Sequence, residues 1–263
     1  MLPSVRLACC TPRTVEIFKQ PQWQVCGKNV LPSLLLSYAY KKIWEPLLSQ
    51  IHYREFVLDS GAFTVHSKDI TIGVEEYRDT VYQYRDQNIK MNEVFSLDVI
   101  GDWKGTKENT EYLWSQGICA IPAFHYGEPE DVLLGYAKDY PKIALGGAVG
   151  LPLKEKKRWV RQCFTRVWPK PIHGFGFGLW ALNEFPFHSI DCSDWEGSAA
   201  RFGRWGSFGG ANLGIGGKDL LTNLHSEAQH WLEHEHQAWG KWKRTFQQVG
   251  FTQNVGKPFV EVV

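Results

Sequence analysis

The chain has 263 residues, 43% hydrophobic and 22% charged, which is enough for a sizeable core. That length matches the roughly 250 residues of one eight-fold α/β barrel. The net charge of +1 excludes a global basic footprint, so any nucleic-acid binding must come from a local patch.

No apolar run approaches the roughly 18 residues of a membrane span. The opening MLPSVRLACC lacks a charged stretch followed by a long apolar one. The expectation is therefore a cytoplasmic protein with no membrane contact. Cys9, Cys10, Cys26, Cys119, Cys163 and Cys192 show no C-x-x-C spacing, so neither a zinc knuckle nor a thioredoxin-type motif is indicated, and they read as reduced thiols.

Val5 to Cys10 reads as a first strand, and the mixed segment Thr11 to Val30 as a cover over one barrel end. Leu34 to Tyr38 is a second strand. Lys41 to Gln50 is a helix that Pro46 can break. Phe56 to Asp59 is a third strand. Val74 to Gln87 is a helix, with Val74, Tyr77, Val81 and Tyr84 at helical spacing. Val94 to Asp98 is a fourth strand, followed by the helix Lys107 to Gln116. Ala120 to His125 is a fifth strand, and Pro129 opens the next helix.

Lys142 to Leu145 is a sixth strand. Lys154 to Val167 is a helix with an apolar stripe of Val160, Cys163, Phe164 and Val167. Ile172 to Phe175 is a seventh strand, Leu179 to Glu184 a short helix, and Ser189 to Asp191 an eighth strand. Residues 203–217 hold seven glycines in fifteen positions and read as a flexible loop. A sharper reading, supported by Arg201, Arg204 and Trp205 at its start, is a loop that orders on a ligand. Leu220 to Val249 is a long final helix. Alternation of this kind predicts a single-domain α/β (β/α)8 TIM barrel over 1–263.

Barrel active sites lie at the C-terminal strand ends. Asp59, Asp98, His125, Gly146, Gly147, Phe175 and Asp191 fall there. Two carboxylates held apart across a substrate can serve as nucleophile and general acid/base at a glycosidic bond. A third can accept two N–H donors from a purine edge. Backbone N–H groups of LGGAVG can donate to a carbonyl, and Phe63 and Phe175 can hold a flat ring. Each residue also has a plain structural reading. Asp59 before Ser-Gly suits a turn, Asp98 suits a helix cap, Asp191 suits an ion pair, and the two Phe suit the core. Acids at barrel strand ends serve many chemistries, metal binding among them. Joint placement is what favours one pocket.

DSGAF resembles the DSGGF or DSGGY motif of the tRNA-guanine transglycosylase superfamily. LGGAVG is similar to that family's GGLAVG, and HGFGFG followed by SIDC is similar to its MGVG and FDC segments. The resemblance runs from about Leu34 to Asp194. The FPFHSIDCSDW run, Phe185 to Trp195, and the short chain without a zinc motif point to the phage-type 7-deazaguanine DNA transglycosylases, hence to the host-cell cytoplasm.

The resemblance implies that Asp191 is the nucleophile at C1′ and Asp59 the general acid/base. It implies that Asp98 reads the guanine N1–H and amino group and that Gly146 and Gly147 donate to O6. Phe63 and Phe175 sandwich the base, and His125 stands where relatives place a base-contacting Gln. It further implies base exchange in DNA. Guanine is extruded and displaced by Asp191, and a free 7-deazaguanine then takes its place with no cofactor.

Three departures qualify this. C-x-C-x-x-C is absent, and His225, His230, His234 and His236 on the last helix read as a polar face, so no metal is expected. Leu151 stands where the tRNA enzymes have Glu, which favours the neutral nitrile base preQ0 over the amine preQ1. No RNA-binding appendage is seen after the barrel. Lys157 and Arg158, with Arg201 and Arg204, are the expected phosphate track. A tRNA-guanine transglycosylase and a non-catalytic nucleic-acid-binding barrel are the alternatives.

Overall fold

A computed structural model describes residues 3–9, 12–62, 71–89, 91–196 and 220–251. Phe63, Arg201, Arg204 and the glycine-rich segment 203–217 lie outside the described residues. Eight parallel strands form one sheet: β1 (Ser4–Cys9), β4 (Ser33–Ser37), β5 (Glu55–Asp59), β6 (Met91–Val94), β7 (Ala123–His125), β8 (Ile143–Gly146), β9 (Ile172–Gly174) and β10 (Ser189–Cys192). Their spatial order is β6-β5-β4-β1-β10-β9-β8-β7. A parallel bridge between Phe95 and Ile121 joins the two outer strands. The Ile121 N–H donates to the Val94 carbonyl and the Ser96 N–H to the Ile121 carbonyl, each at 2.9 Å. The sheet therefore curls round on itself in chain order, as a (β/α)8 barrel does.

Between β1 and β4 lie α1 (Pro12–Glu16) and a hairpin of β2 (Trp23–Val25) and β3 (Lys28–Val30). Its turn is Cys26-Gly27, with φ of 50° and 74°, the positive pair that matches the twist of a two-residue hairpin. The helix expected at 41–50 is α2 (Lys41–Trp44), continued by a 3-10 helix over Glu45–Gln50. Pro46 lacks the N–H that an α-helical continuation would use. The remaining helices are α3 (Val74–Asp86), α4 (Trp103–Ser115), α5 (Glu130–Asp139), α6 (Leu153–Val167), α7 (Trp180–Glu184) and α8 (Leu220–Gln248). None of the described helices is long and apolar enough to cross a membrane. Cys26, Cys119 and Cys163 are free thiols.

The fourth strand ends at Val94 rather than Asp98. Beyond the bridge, helix side chains take over the backbone. The Tyr77 hydroxyl donates to the Phe95 carbonyl at 2.9 Å, and Asn109 Nδ2 donates to the Leu97 carbonyl at 2.8 Å. Asp98 is thus on a loop pinned by α3 and α4, not on a strand.

Side chains alternate inward and outward along each strand. Outward residues pack against the helices in the main core. Inward residues form layers. Arg6, Glu93, Lys142 and Ser189 make a polar layer near the N-terminal strand ends. Ala8, Leu35, Val57, Phe95, Ile121, Ala123 and Ala144 make an apolar layer above it. Two residues beyond Val57, Ala123 and Ala144 stand Asp59, His125 and Gly146, and Asp191 stands two beyond Ser189. At the opposite end α8 supplies Glu235, which accepts from the Val5 N–H at 2.7 Å and pairs with Arg54 at 3.1 Å. The final helix is therefore joined to the barrel by a buried charge as well as by Leu224, Ala228, Trp231, Leu232 and Phe246.

Candidate active site

The turn after β5 brings Asp59 to the pocket. Gly61 has φ +80°, and a Cβ there would lie 2.4 Å from Ser37 Oγ and 2.6 Å from Ala39 Cβ, so only glycine fits. The Gly61 N–H donates to Asp59 Oδ2 at 3.0 Å. Burial, then the charges of Asp98 and Asp191, push the Asp59 carboxyl well above the usual range, against the Gly61 hydrogen bond. Asp59 therefore keeps its proton to a higher pH than an ordinary aspartate does. Asp98 and Asp191 both lie near enough for their charges to act on the Asp59 carboxyl.

Asp98 is gripped from two sides. Ser60 Oγ donates to Oδ1 at 2.7 Å, and His125 Nε2 lies 3.0 Å from Oδ2. The other ring nitrogen of His125 lies 3.3 Å from Glu128 Oε1, and the His125 N–H donates to Glu128 Oε2 at 2.9 Å. Burial opposes a charged His125, but the hydrogen bonds to Asp98 and Glu128 outweigh it and raise its pKa to about 9. His125 is then an imidazolium whose two nitrogens are both engaged by carboxylates. It steadies Asp98, and one lone pair on each Asp98 oxygen stays open to the pocket.

Asp191 is 7% exposed and follows Ile190 at the end of β10. Its Oδ1 lies 3.1 Å from His173 Nε2 and accepts from the Gly176 N–H at 3.4 Å. Burial lifts its pKa to about 7, against the Gly176 hydrogen bond and the Arg6 charge. His173 is fully buried. Burial and the charges of Arg6 and Lys142 hold its pKa well below the usual value, so it is neutral.

The Phe175 ring lies 4.5 Å from Phe95 and 4.7 Å from His173, forming a partly buried aromatic wall. Gly146 and Gly147 lie against His125. A Cβ on Gly147, whose φ is +71°, would come within 3.0 Å of His125 Cβ and 3.1 Å of the Tyr126 nitrogen. Side chains at either position would fill the pocket.

The structure thus gathers Asp59, Asp98, His125, Gly146, Gly147, Phe175 and Asp191 at the C-terminal strand ends. Lys157 and Arg158 are on α6, whose N-terminus follows the β8 loop. Lys157 pairs with Glu184 and lies 5.7 Å from the Trp180 ring centroid, while Arg158 is exposed and 3.8 Å from Glu155. Among these two, Arg158 is the freer cation.

Sequence reasoning assigned no role to Ser60, Glu128, His173 or the Arg6–Glu93–Lys142 cluster. The available signal was inward alternation. His173 stands two residues before Phe175, and Ser189 two before Asp191. Among the described residues no cluster of three or more His, Cys, Asp or Glu is arranged to hold a metal ion.

No family model and no curated protein matches this chain. A solved structure of Rhizobium etli pyruvate carboxylase, crystallized without acetyl coenzyme A, is similar at 12% identity and a TM-score of 0.45, over 96% of this chain and 32% of that one. This chain spans about a third of that chain's length.

Proposed function

We propose that the chain is a DNA base-exchange transglycosylase that replaces guanine with a 7-deazaguanine through a covalent Asp191–sugar intermediate. The observation that carries this reading is the pairing of two differently held carboxyls in one pocket. Burial and its acidic neighbours push the Asp59 carboxyl well above its ordinary range, whereas Asp191, held by Gly176 and the Arg6 charge, ionises near neutrality. Carboxyls whose environments separate in this way divide into acid and nucleophile.

The target guanine leaves the base stack to enter the pocket. Asp98 accepts from its N1–H and amino group, Gly147 presents its backbone N–H to O6, and the ring lies against Phe175. One Asp191 oxygen attacks C1′. The C1′–N9 bond breaks with its electron pair going to the base, and Asp59 supplies the proton that releases neutral guanine. A 7-deazaguanine then occupies the same pocket and gives its N9 proton to Asp59. Its N9 forms the new bond to C1′ as the Asp191 ester breaks. Two inversions give net retention.

The DNA form of the substrate follows the resemblance of the Phe185 to Trp195 run to the phage-type enzymes. Leu151, partly buried against the core, offers no charge to an aminomethyl group, so the incoming base is the neutral nitrile preQ0. Labelled-guanine exchange into DNA and into tRNA tests the reading, with preQ0 and preQ1 as competitors. Exchange into tRNA alone supports the tRNA-directed alternative, and exchange into neither supports a non-catalytic barrel.

A further inference from the structure

A line of buried polar groups runs through the barrel interior to Asp191. Lys142 Nζ donates to Ser189 Oγ at 3.1 Å, Ser189 Oγ lies 2.9 Å from His173 Nδ1, and His173 Nε2 lies 3.1 Å from Asp191 Oδ1. Lys142 immediately precedes β8, His173 is on β9, and Ser189 and Asp191 are on β10. We infer that His173, held by the hydrogen-bond chain from Lys142 through Ser189, is the positioning residue for Asp191, occupying one carboxylate oxygen and leaving the other to attack. This rests on the base-exchange reading and deepens it.

The direction of the chain follows from donor chemistry. A lysine ammonium only donates, so Ser189 Oγ accepts from Lys142. The serine's single proton is then free to point at His173 Nδ1. Nδ1 accepts it, and the one proton of a neutral imidazole sits on Nε2, facing Asp191 Oδ1. The opposite tautomer would turn a bare Nε2 lone pair toward the carboxylate, and it is tolerated only while Asp191 carries a proton. The ring itself is clamped. Phe95 and Phe175 lie 4.6 and 4.7 Å from it, and His173 has no exposed surface.

With His173 and the Gly176 N–H both directed at Oδ1, Oδ2 is the oxygen left for C1′. The interior charge count agrees. Arg6 and Lys142 are two cations against one Glu93, so a negative charge is favoured nearby, and the Arg6 charge acts on Asp191 in that sense.

The inference predicts that His173→Leu, which cannot donate, lowers kcat for guanine exchange by about 10–100-fold, the usual loss when an orienting partner is removed. KM for DNA should stay within about two-fold, because His173 has no exposed surface to offer the DNA. His173→Gln, whose amide can donate to Oδ1, should recover most of kcat. Nitrogen NMR of the His173 ring in the wild-type protein at about pH 7.5, between the Asp191 pKa of about 7 and the Lys142 pKa of about 8, should show a neutral ring protonated on Nε2, and Ser189→Ala should let the tautomers mix. The wild-type NMR measurement needs neither substrate nor a folded variant. An Nδ1–H ring or an imidazolium at that pH overturns the inference, as does full kcat in a folded His173→Leu protein. Absence of any exchange or adduct in the wild type instead fails the base-exchange reading, and the NMR result then still decides whether His173 donates to Asp191.

Discussion

The raised pKa values of Asp59 and Asp191 make a specific demand on the pH profile. Attack on C1′ needs Asp191 ionised, and its pKa stands at about 7. The active fraction therefore falls about ten-fold for each pH unit below that, to roughly one hundredth two units down. Release of guanine needs Asp59 protonated, and Asp59 is pushed well above the ordinary carboxyl range, so the profile turns down again on the alkaline side. The assay is labelled-guanine exchange at saturating DNA across this range, with the covalent adduct trapped by denaturation when no incoming base is supplied. Asp59→Asn keeps a neutral side chain of the same shape. It should abolish the alkaline limb, keep the acid limb, and lower kcat by about 10²–10⁴-fold. Asp191→Asn keeps the shape but removes the nucleophile, so adduct and exchange should both vanish while DNA binding persists. Peptide mapping locates the sugar. An adduct on Asp59 or on the exposed Asp194, or exchange in Asp191→Asn, refutes the assignment.

Other outcomes follow from the same contacts. Glu93→Gln leaves Arg6 and Lys142 facing each other in the barrel, and denaturant unfolding should show a loss of about 3–5 kcal/mol, partly recovered by adding Lys142→Met; a loss below about 1 kcal/mol would contradict the pairing. Gly147→Ala should cost about 1–2 kcal/mol for its positive φ and more for the clash with His125 and Tyr126, whereas Gly150→Ala, also at positive φ but with nothing within 4 Å, should cost the conformational part alone. His125 titrates higher folded than its ordinary 6.5, so its contribution is full below about 6.5 and is lost as pH rises through about 9. Urea unfolding of wild type and His125→Gln across that window should differ by roughly 3 kcal/mol in slope-integrated stability, and parallel curves would count against the Asp98–His125–Glu128 arrangement. Neutralising Arg158 with Lys157, Arg201 and Arg204 should flatten the salt dependence of DNA binding, with Arg158 contributing more than the paired Lys157; an unchanged slope removes α6 from the interface.

Much of this arrangement is legible in the chain because two local periodicities carry it. Alternating strands and amphipathic helices imply parallel β/α order, and that order dictates which strand end is the working face. The strand that leads into LDSGAF ends in Asp59 and HSID ends in Asp191, so both carboxylates fall at that end, and Gly61 announces a turn that excludes a side chain. What the tertiary structure alone decided are the partners. Glu93 meets Lys142 from 49 positions away, and Glu235 reaches Val5 across 230. Such contacts depend on barrel radius and on which side chains share a layer, and no local pattern encodes them. The fourth strand stops early because Tyr77 and Asn109, on neighbouring helices, capture its carbonyls. His125 turns to Asp98 and Glu128 rather than standing alone. His173, one apolar-flanked histidine among nine in the sequence, gains its place beside Asp191 only when β9 and β10 align with Ser189 opposite it. Charge state follows the same division. A carboxylate's identity is written in the sequence, but its proton affinity is set by burial and by neighbours that the closed barrel alone brings within reach.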